Sequence, residues 1–202
     1  MARRIDRHSL AQLVTASRGA TSDFDLNADI APPRGAPLRK AGVLVPVIER
    51  DGQAMLVLTK RASHLRHHPG QIAFPGGRMD EGDETVTDAA LREAHEEIAL
   101  DPKLVDVIGL LPTHETVTSY EMHPVLGWIR DDFDAVAEPG EVGEIFAVPM
   151  QHVLDPARYS IQSRHWKGQD RRFFTVPYGP YYIWGATARV LRAMAQAWQE
   201  VV

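Results

Sequence analysis

The stretch LREAHEEI, residues 91–98, places three carboxylates on one side of a predicted helix. The helix is expected from about Thr85 to Ala99. At about 100° per residue, Glu93, Glu96 and Glu97 share an arc of about 100°. Like charges at this spacing repel each other by a few tenths of a kcal/mol in a solvated helix. The pattern therefore predicts either a solvated acidic face or a cation site that relieves the repulsion.

Oxygen is the donor that a cation would find on this helix. The chain has no cysteine, which excludes disulfides, thiolate metal sites and cysteine nucleophiles. Carboxylate ligands favour Mg²⁺, Mn²⁺ or Ca²⁺, and Mg²⁺ typically links one or two carboxylates to substrate phosphates. The residues alone therefore leave these three ions open, and we expect His95 to be a surface residue and not a ligand.

A glycine-rich loop precedes the helix. The segment FPGG, residues 74–77, ends a short extended stretch and turns sharply. Gly76 and Gly77 allow the backbone to approach a ligand closely or to adopt a positive φ. An ordinary turn has the same composition, so the loop gains meaning only together with the helix.

The composition limits the partners of the chain. It has 202 residues and a formal net charge of −5, and 44% of its residues are hydrophobic. A net acidic chain disfavours nucleic acid as the main partner, and no apolar run approaches the ~18 residues of a membrane span. We expect a cytoplasmic protein without a nucleic-acid or membrane partner, and the net charge does not exclude a small phosphorylated ligand, which needs only a few local cations.

Short strand patterns interleave with few helices. Asp51-Gly52 predicts a hairpin turn, and Pro46 favours an edge position or a bulge in the strand before it. Further strands are expected at residues 105–111, 122–129, 144–148, 160–165 and 172–176, and a last helix at residues 184–200. This order favours an α/β protein of the α+β type, with a mixed sheet packed between helices.

The N-terminal region differs from the rest of the chain. A helix is expected over residues 9–18, with Ser9 as its cap. The segment APPRGAP, residues 31–37, breaks any regular element and is typical of a linker. We therefore divide the chain into a helical extension with a linker, residues 1–37, and a main domain, residues 38–202.

The stretch around the acidic helix resembles the Nudix box, G-x5-E-x7-R-E-U-x-E-E-x-G-U, in which U is a bulky aliphatic residue. Seven residues separate Glu84 from the R-E-x-x-E-E core that begins at Arg92. Three positions depart: six residues separate Gly77 from Glu84, Ala94 replaces the aliphatic residue, and Ala99 replaces the last glycine. The resemblance implies a Nudix-like α/β/α sandwich with a mixed β-sheet between helices, and hydrolysis of a diphosphate linked to another group.

A second motif is more specific. The segment LTKRASHLRHHPGQIAFPGG, residues 58–77, is similar to the signature L-L-T-x-R-S-x-x-L-R-x-H-x-G-Q-V-x-F-P-G-G of the coenzyme A pyrophosphatase branch. Ala62 stands where Ser is usual, and Ile72 where Val is usual. This branch also tends to carry G-G-x-x-D-x-x-D, which accounts for the shifted box. The likeness covers roughly residues 40–192 and implies cleavage of coenzyme A to 3′,5′-ADP and 4′-phosphopantetheine.

The resemblance implies roles for the residues of the acidic helix. The implied cofactor is Mg²⁺ or Mn²⁺, with Glu93 and Glu97 as its ligands and Glu96 as a ligand or a shared base. Arg92 would orient these carboxylates through charge-assisted hydrogen bonds. Glu144, at the start of a strand, is the remote candidate for a general base; the alternative is an exposed carboxylate at a strand end.

The signature loop is expected to meet the substrate. Arg61 and Arg66 suit phosphate groups, and His68 would donate to a phosphate or to the backbone. Gln71 would close the loop through backbone hydrogen bonds. Each cation taken alone is equally well explained as a solvated loop charge. The expected substrate-binding set is Arg61, Arg66, His68, Gln71, Gly76 and Gly77.

Two other functions stay open. The same chemistry on another diphosphate, such as ADP-ribose or NADH, predicts a preference for substrates without a 3′-phosphate. A non-catalytic Nudix-fold binding module predicts ligand binding without product. The N-terminal ~35 residues fall outside the resemblance, and covering the core or forming a homodimer are the two roles open to them.

Overall fold

The structure is a computed structural model that describes residues 4–27, 29–30, 37–166 and 168–201. Its elements in chain order are α1 (Arg7–Ala16), β1 (Thr21–Ser22), β2 (Arg39–Arg50), β3 (Gln53–Arg61), β4 (Ile72–Ala73), β5 (Gly76–Arg78), α2 (Val86–Ile98), β6 (Val105–Leu110), β7 (His114–Glu115), β8 (Tyr120–Ile129), β9 (Val142–Pro149), α3 (Met150–Val153), β10 (Ser160–Trp166), β11 (Gln169–Thr175) and α4 (Gly185–Val201). Short 3₁₀ helices lie at Pro102–Leu104 and Pro156–Arg158.

The main sheet is built around β2, which is an interior strand. On one side β2 pairs in parallel with β8 along most of its length. On the other side it pairs first with β5, up to Val43, and later with β3, from Val47 onward. Pro46 lies between these two partners, where its missing N–H costs the ladder little. The expected edge position for Pro46 was therefore wrong.

The strands β2 and β3 pair near their hairpin and diverge beyond it, which leaves a space between them in the main sheet. The predicted hairpin is confirmed, with Arg50 opposite Gln53 across Asp51-Gly52. Beyond the hairpin, β4 pairs with β3 and β5 pairs with β2, so residues 72–78 fill the space between the diverging strands. Outside this centre, β9 pairs with β3, β6 and β7 pair with β8, and β1 runs parallel to β7. The strands β10 and β11 form a separate hairpin.

Helices cover both faces of the main sheet. On one face α2 approaches β2 so closely that a Cβ on Gly42 would lie 2.0 Å from the carbonyl oxygen of Val86. The buried residues between them are Leu44, Ile48, Val57, Ala90, Ala94, Ile98, Leu100, Val125 and Ile129. On the opposite face α1, α3 and α4 contribute to a larger cluster with the other side of β2 and β3. The expected α/β/α sandwich with a mixed sheet is confirmed.

The two helix starts show how local signals act. Thr85 caps α2 and Asp88 returns the hydrogen bond, as the capping-box pattern predicts. The first helix begins at Arg7 and is capped by Asp6, while Ser9 supplies the returning side chain of that box. Ser9 is therefore not the cap, because its hydroxyl lies three residues inside a helix that starts earlier than expected.

The N-terminal region packs onto the main domain. Leu10 and Leu13 of α1 are fully buried in the cluster that α4 lines. Residues 31–36 of the expected linker lie outside the described residues, and the division of the chain at residue 37 stays a prediction. In the described part of the chain, no helix is both long and apolar enough to cross a bilayer.

Candidate active site

The backbone of β5 packs directly against two carboxylates of α2. Glu97 is only 6% exposed, and its Oε2 accepts a hydrogen bond of 3.2 Å from the N–H of Gly76. A Cβ on Gly77 would lie 2.5 Å from the carboxylate of Glu93. A Cβ on Gly76 would lie 2.5 Å from the Cα of Val43, and Gly76 has a φ of 150°, so this position needs glycine for both reasons, whereas Gly77 needs it for close approach.

Burial makes these carboxylates costly to ionise. It raises the pKa of Glu97 to about 7, and the charges of Glu93 and Glu141 act in the same direction. Burial also raises the pKa of Glu93, although its contact with Arg92 opposes the shift. Two crowded and desolvated acids form a place where a bound cation is favourable.

Arg92 organises the acidic side chains around it. Its guanidinium donates to the carboxylate of Asp83 through Nε at 3.0 Å and Nη2 at 2.9 Å. Nη1 donates to Glu93 at 2.9 Å and to Glu96 at 3.2 Å. These bonds, with Asp83 first, raise the pKa of Arg92. The geometry matches the orienting role expected for Arg92.

Asp83 ends the G-G-x-x-D-x-x-D motif, but the sequence reasoning gave it no role in the site. Its side chain is 5% exposed beneath Arg92, whereas Glu84 is exposed. Counting seven residues back from Arg92 selects Glu84, but counting five residues on from Gly77 selects Asp83. The extra residue of this loop therefore lies after the acid that contacts Arg92, and counting from the glycine would have found it.

The donor set suits a hard divalent cation. Glu93 and Glu97 offer carboxylate oxygens from one helix face, and they repel each other without a cation. Glu96 is 56% exposed in its side chain and is turned toward Arg92. Among the described residues, no three Asp, Glu or His side chains already converge as a metal site. Glu93 and Glu97 are the residues that would hold the ion, with Glu96 available at the rim.

The structure does not bring Glu144 to these carboxylates. Glu144 of β9 lies opposite Lys60 of β3, and alternation along β9 puts it on the same face as Phe146, which packs in the α4 cluster. Its Oε1 accepts a hydrogen bond of 2.5 Å from the hydroxyl of Tyr181. Because α2 covers the other face of the sheet, this placement does not favour Glu144 as the base.

Glu141 lies nearer to the acidic helix. It precedes β9, and its carbonyl oxygen accepts from the N–H of Ala62 at 2.8 Å. The neighbouring Glu138 N–H donates to the carbonyl of Glu97 at 3.0 Å, so this loop is fixed against α2. The charge of Glu141 raises the pKa of both Glu93 and Glu97. Nothing in the sequence distinguished Glu141 from Glu144.

The signature loop joins the same region through Arg61. The Arg61 N–H donates to the Gln71 carbonyl at 2.9 Å, and Gly70 donates back to Arg61 at 3.1 Å, so Gln71 closes the loop as expected. Burial and the charge of Arg61 lower the pKa of His68, and the same guanidinium acts to lower that of Glu97. The charge of Arg61 therefore acts on both the acids and the loop, and Arg66 is exposed.

The NUDIX domain family model matches residues 38–171. The chain belongs to the Nudix hydrolase family. It is 44% identical over 157 residues to the protein described as uncharacterized Nudix hydrolase NudL of Enterobacter sp. (strain 638), covering 78% of this chain and 81% of that one. A NudL of Escherichia coli O7:K1 is 43% identical over the same shares.

Solved Nudix structures share the fold. RenU, a Nudix hydrolase from M. smegmatis, matches with a TM-score of 0.50 and 22% identity, over 60% of this chain and 76% of that one. A MutT/nudix family protein from Enterococcus faecalis matches with a TM-score of 0.51 and 14% identity, over 83% and 64%. Nudix hydrolases act on small-molecule diphosphates and generally use divalent metal ions, typically Mg²⁺. The superfamily expected from the box is confirmed.

Proposed function

We propose that this Nudix hydrolase cleaves the diphosphate bond of coenzyme A or its acyl derivatives in the presence of Mg²⁺ or Mn²⁺. The products would be 3′,5′-ADP and 4′-phosphopantetheine or its acyl form. The coenzyme A part of the proposal rests on residues 58–77, which are similar to the signature of the coenzyme A pyrophosphatase branch.

One observation carries the proposal: Arg61 links the two parts of the site. Its charge acts on Glu97 on one side and on His68 on the other. Its Nε is buried and has no hydrogen-bond partner among the described residues. A partly buried arginine whose Nε has no partner, and whose charge acts on both Glu97 and His68, suits a phosphate group of the substrate.

Different residues of the chain have different roles in the proposed hydrolysis. When bound, the divalent cation supplies charge neutralisation on the diphosphate and activation of a water. Glu93 and Glu97 hold it, and Arg92 keeps Glu93 and Glu96 in place through the bonds described above. Glu141, an acid from another segment whose charge acts on both of these carboxylates, is available to accept a proton from water.

A substrate panel tests the proposal. Purified protein is incubated with Mg²⁺ and, in parallel, with coenzyme A, acetyl-coenzyme A, ADP-ribose and NADH, and the products are separated by chromatography. We expect 3′,5′-ADP from the first two and slower turnover of the others. Faster cleavage of ADP-ribose or NADH would overturn the coenzyme A assignment, and binding without product over hours would indicate a non-catalytic module.

Glu97→Gln tests the metal assignment within the same assay. Removing one of two buried carboxylates should lower turnover by about 10²-fold or more and weaken Mn²⁺ binding in calorimetry. Glu84→Gln is the matched control, since Glu84 is an exposed glutamate just before α2. Retained turnover in Glu97→Gln would contradict its role.

A cytoplasmic location and a homodimer stay predictions.

A further inference from the structure

The start of α4 is hydrogen bonded to the chain at the end of the signature loop, although α4 follows the residues that the family model matches. The hydroxyl of Thr187, the third residue of α4, donates to the carbonyl oxygen of Ile72 at 3.1 Å, and Thr187 is only 3% exposed. Ile72 begins β4 and directly follows Gln71 of the loop. A Cβ on Gly185 would lie 3.7 Å from Nε2 of Gln71, so the first residue of the helix also lies beside the loop.

The carbonyl of Ile72 points away from β3, the strand with which β4 pairs. The N–H of Arg61 donates to the carbonyl of Gln71 at 2.9 Å, and the next pair along the ladder is Lys60 opposite Ile72. Hydrogen-bonded and non-hydrogen-bonded pairs alternate in an antiparallel ladder, so Ile72 belongs to a non-hydrogen-bonded pair. Because Ile72 is buried and a buried carbonyl without a partner is costly, the hydroxyl of Thr187 supplies a bond that β3 does not.

The chain immediately before α4 is fixed by β11, independently of the signature loop. The N–H of Val176 donates to the carbonyl of Ile183 at 2.9 Å, and Thr175 forms a β-bridge with Trp184. Val176, Ile183 and Thr175 are all buried. Thr187 therefore extends from a support that keeps its position when the loop moves, and its hydroxyl connects that support to β4.

The chain after β4 has anchors of its own. The carbonyl of Pro75 accepts from the backbone of β2 at 2.9 Å, and the N–H of Gly76 donates to Glu97. Before β4, the bond from the N–H of Gln71 to the carbonyl of His68, at 3.2 Å, lies within the loop itself. Loss of the bond from α4 should therefore loosen the loop before β4 and leave the carboxylates of α2 in place.

We propose that Thr187 is a positioning residue of the substrate site, whose buried hydroxyl holds the signature loop through the carbonyl of Ile72. The inference rests on the proposed function in so far as that loop binds the phosphates of the substrate. Thr187 itself does not touch the reacting atoms and acts only through the loop. The start of α4 therefore belongs to the substrate site, although it follows the family domain.

Three variants separate this role from a general loss of stability. Thr187→Val keeps the shape of the side chain and removes the hydroxyl, whereas Thr187→Ser restores the hydroxyl without the methyl group. Met194→Ala is the structural control, because Met194 is buried on the same helix seven residues further along, and its truncation leaves a cavity in the core. A role in stability alone predicts that Met194→Ala disturbs the loop as well.

The test measures hydrogen exchange of peptides spanning residues 62–72 in the full chain, together with KM, kcat and the melting temperature. The substrate is coenzyme A, or whichever diphosphate of the panel the protein turns over. For Thr187→Val we expect faster exchange in these peptides and KM raised about threefold or more, with kcat within about twofold. Thr187→Ser should return both exchange and KM to near the wild-type values. Met194→Ala should lower the melting temperature and change neither.

Each result decides the inference. Unchanged loop exchange or an unchanged KM in Thr187→Val, no recovery in Thr187→Ser, or the same changes in Met194→Ala would overturn it. If Thr187→Val does not fold, Thr187→Ala removes the same hydroxyl and takes its place in the comparison. The exchange measurement needs no turnover, so faster loop exchange in Thr187→Val without coenzyme A cleavage by the wild type would refute the proposed substrate and leave the role of Thr187 in holding the loop standing.

Discussion

Glu141 and Glu144 are three residues apart, yet their carboxylates have different surroundings. Glu141 acts on Glu93 and Glu97, whereas Glu144 is bound to Tyr181 and lies 3.9 Å from Lys60. If a chain carboxylate accepts the proton from water, Glu141→Gln should lower kcat by about 10²-fold, the usual contribution of a general base. Glu144→Gln should leave kcat within about twofold. Steady-state kinetics of the two variants provides the check, and the reverse order would restore Glu144 as the base.

Glu97 makes the metal-free protein less stable as pH rises. Its pKa is about 7 in the folded chain, above its ordinary value of 4.5. Below pH 4.5 both the folded and the unfolded chain keep the proton on Glu97, so the free energy of unfolding is not lowered. Between 4.5 and 7 the unfolded chain releases the proton first, so stability falls with pH and levels off above 7. The full loss is about 2–4 kcal/mol.

Glu97→Gln should therefore be more stable than the wild type in EDTA at pH 8 and similar to it at pH 4.5. Urea unfolding at the two pH values measures the difference in the free energy of unfolding. Adding Mg²⁺ at pH 8 should reduce the difference in the free energy of unfolding between the variant and the wild type, because the ion stabilises the wild type by binding to its folded state. Equal free energies of unfolding of the two proteins at pH 8 without metal would show that ionisation of Glu97 does not destabilise the folded chain.

At the scale of elements, the start of α2 depends on an acid in the loop before it. Asp83 joins this loop to Arg92 through two hydrogen bonds, and that contact lowers the pKa of Asp83. Asp83→Asn should lower the free energy of unfolding at pH 7 by about 1–2 kcal/mol and reduce kcat/KM about tenfold, since Arg92 would no longer be held. Glu84→Gln should change neither. Equal effects of the two substitutions in chemical unfolding and kinetics would contradict the assignment of Asp83, in place of Glu84, as the acid of the box.

The elements themselves follow largely from local sequence. The cap at Thr85, the hairpin at Asp51-Gly52 and the extent of α2 are set by residues close together in the chain, and all are confirmed. Pro46 was misjudged because a strand that changes partners in the middle of a sheet leaves no trace in its own sequence. The face of Glu144 likewise depends on the pairing of β9 with β3 and the irregularity between Lys60 and Arg61.

At the scale of the whole molecule, contacts distant in sequence assemble the site. The acidic helix and the signature loop were predictable because their residues form motifs, but their junction at Arg61 required the sheet to open between β2 and β3. The contact of Thr21 and Asp23 with His114 spans more than 90 residues and uses a two-residue strand, which no periodicity indicates. Sequence motifs thus indicated the candidate residues, and only tertiary structure showed what surrounds them.

Substitutions in α1 test whether the N-terminal extension folds together with the family domain. Leu13 of α1 is fully buried in the cluster with α4, while Thr15 on the same helix is exposed. Leu13→Ala should lower the free energy of unfolding by about 2–4 kcal/mol, the usual cost of a cavity in a packed core. Thr15→Ala should stay within about 0.5 kcal/mol. Urea unfolding followed by circular dichroism should show one transition in both variants. A separate early transition in Leu13→Ala would mean that the helix unfolds independently, whereas a single shifted transition makes the extension part of the same cooperative unit as the active site.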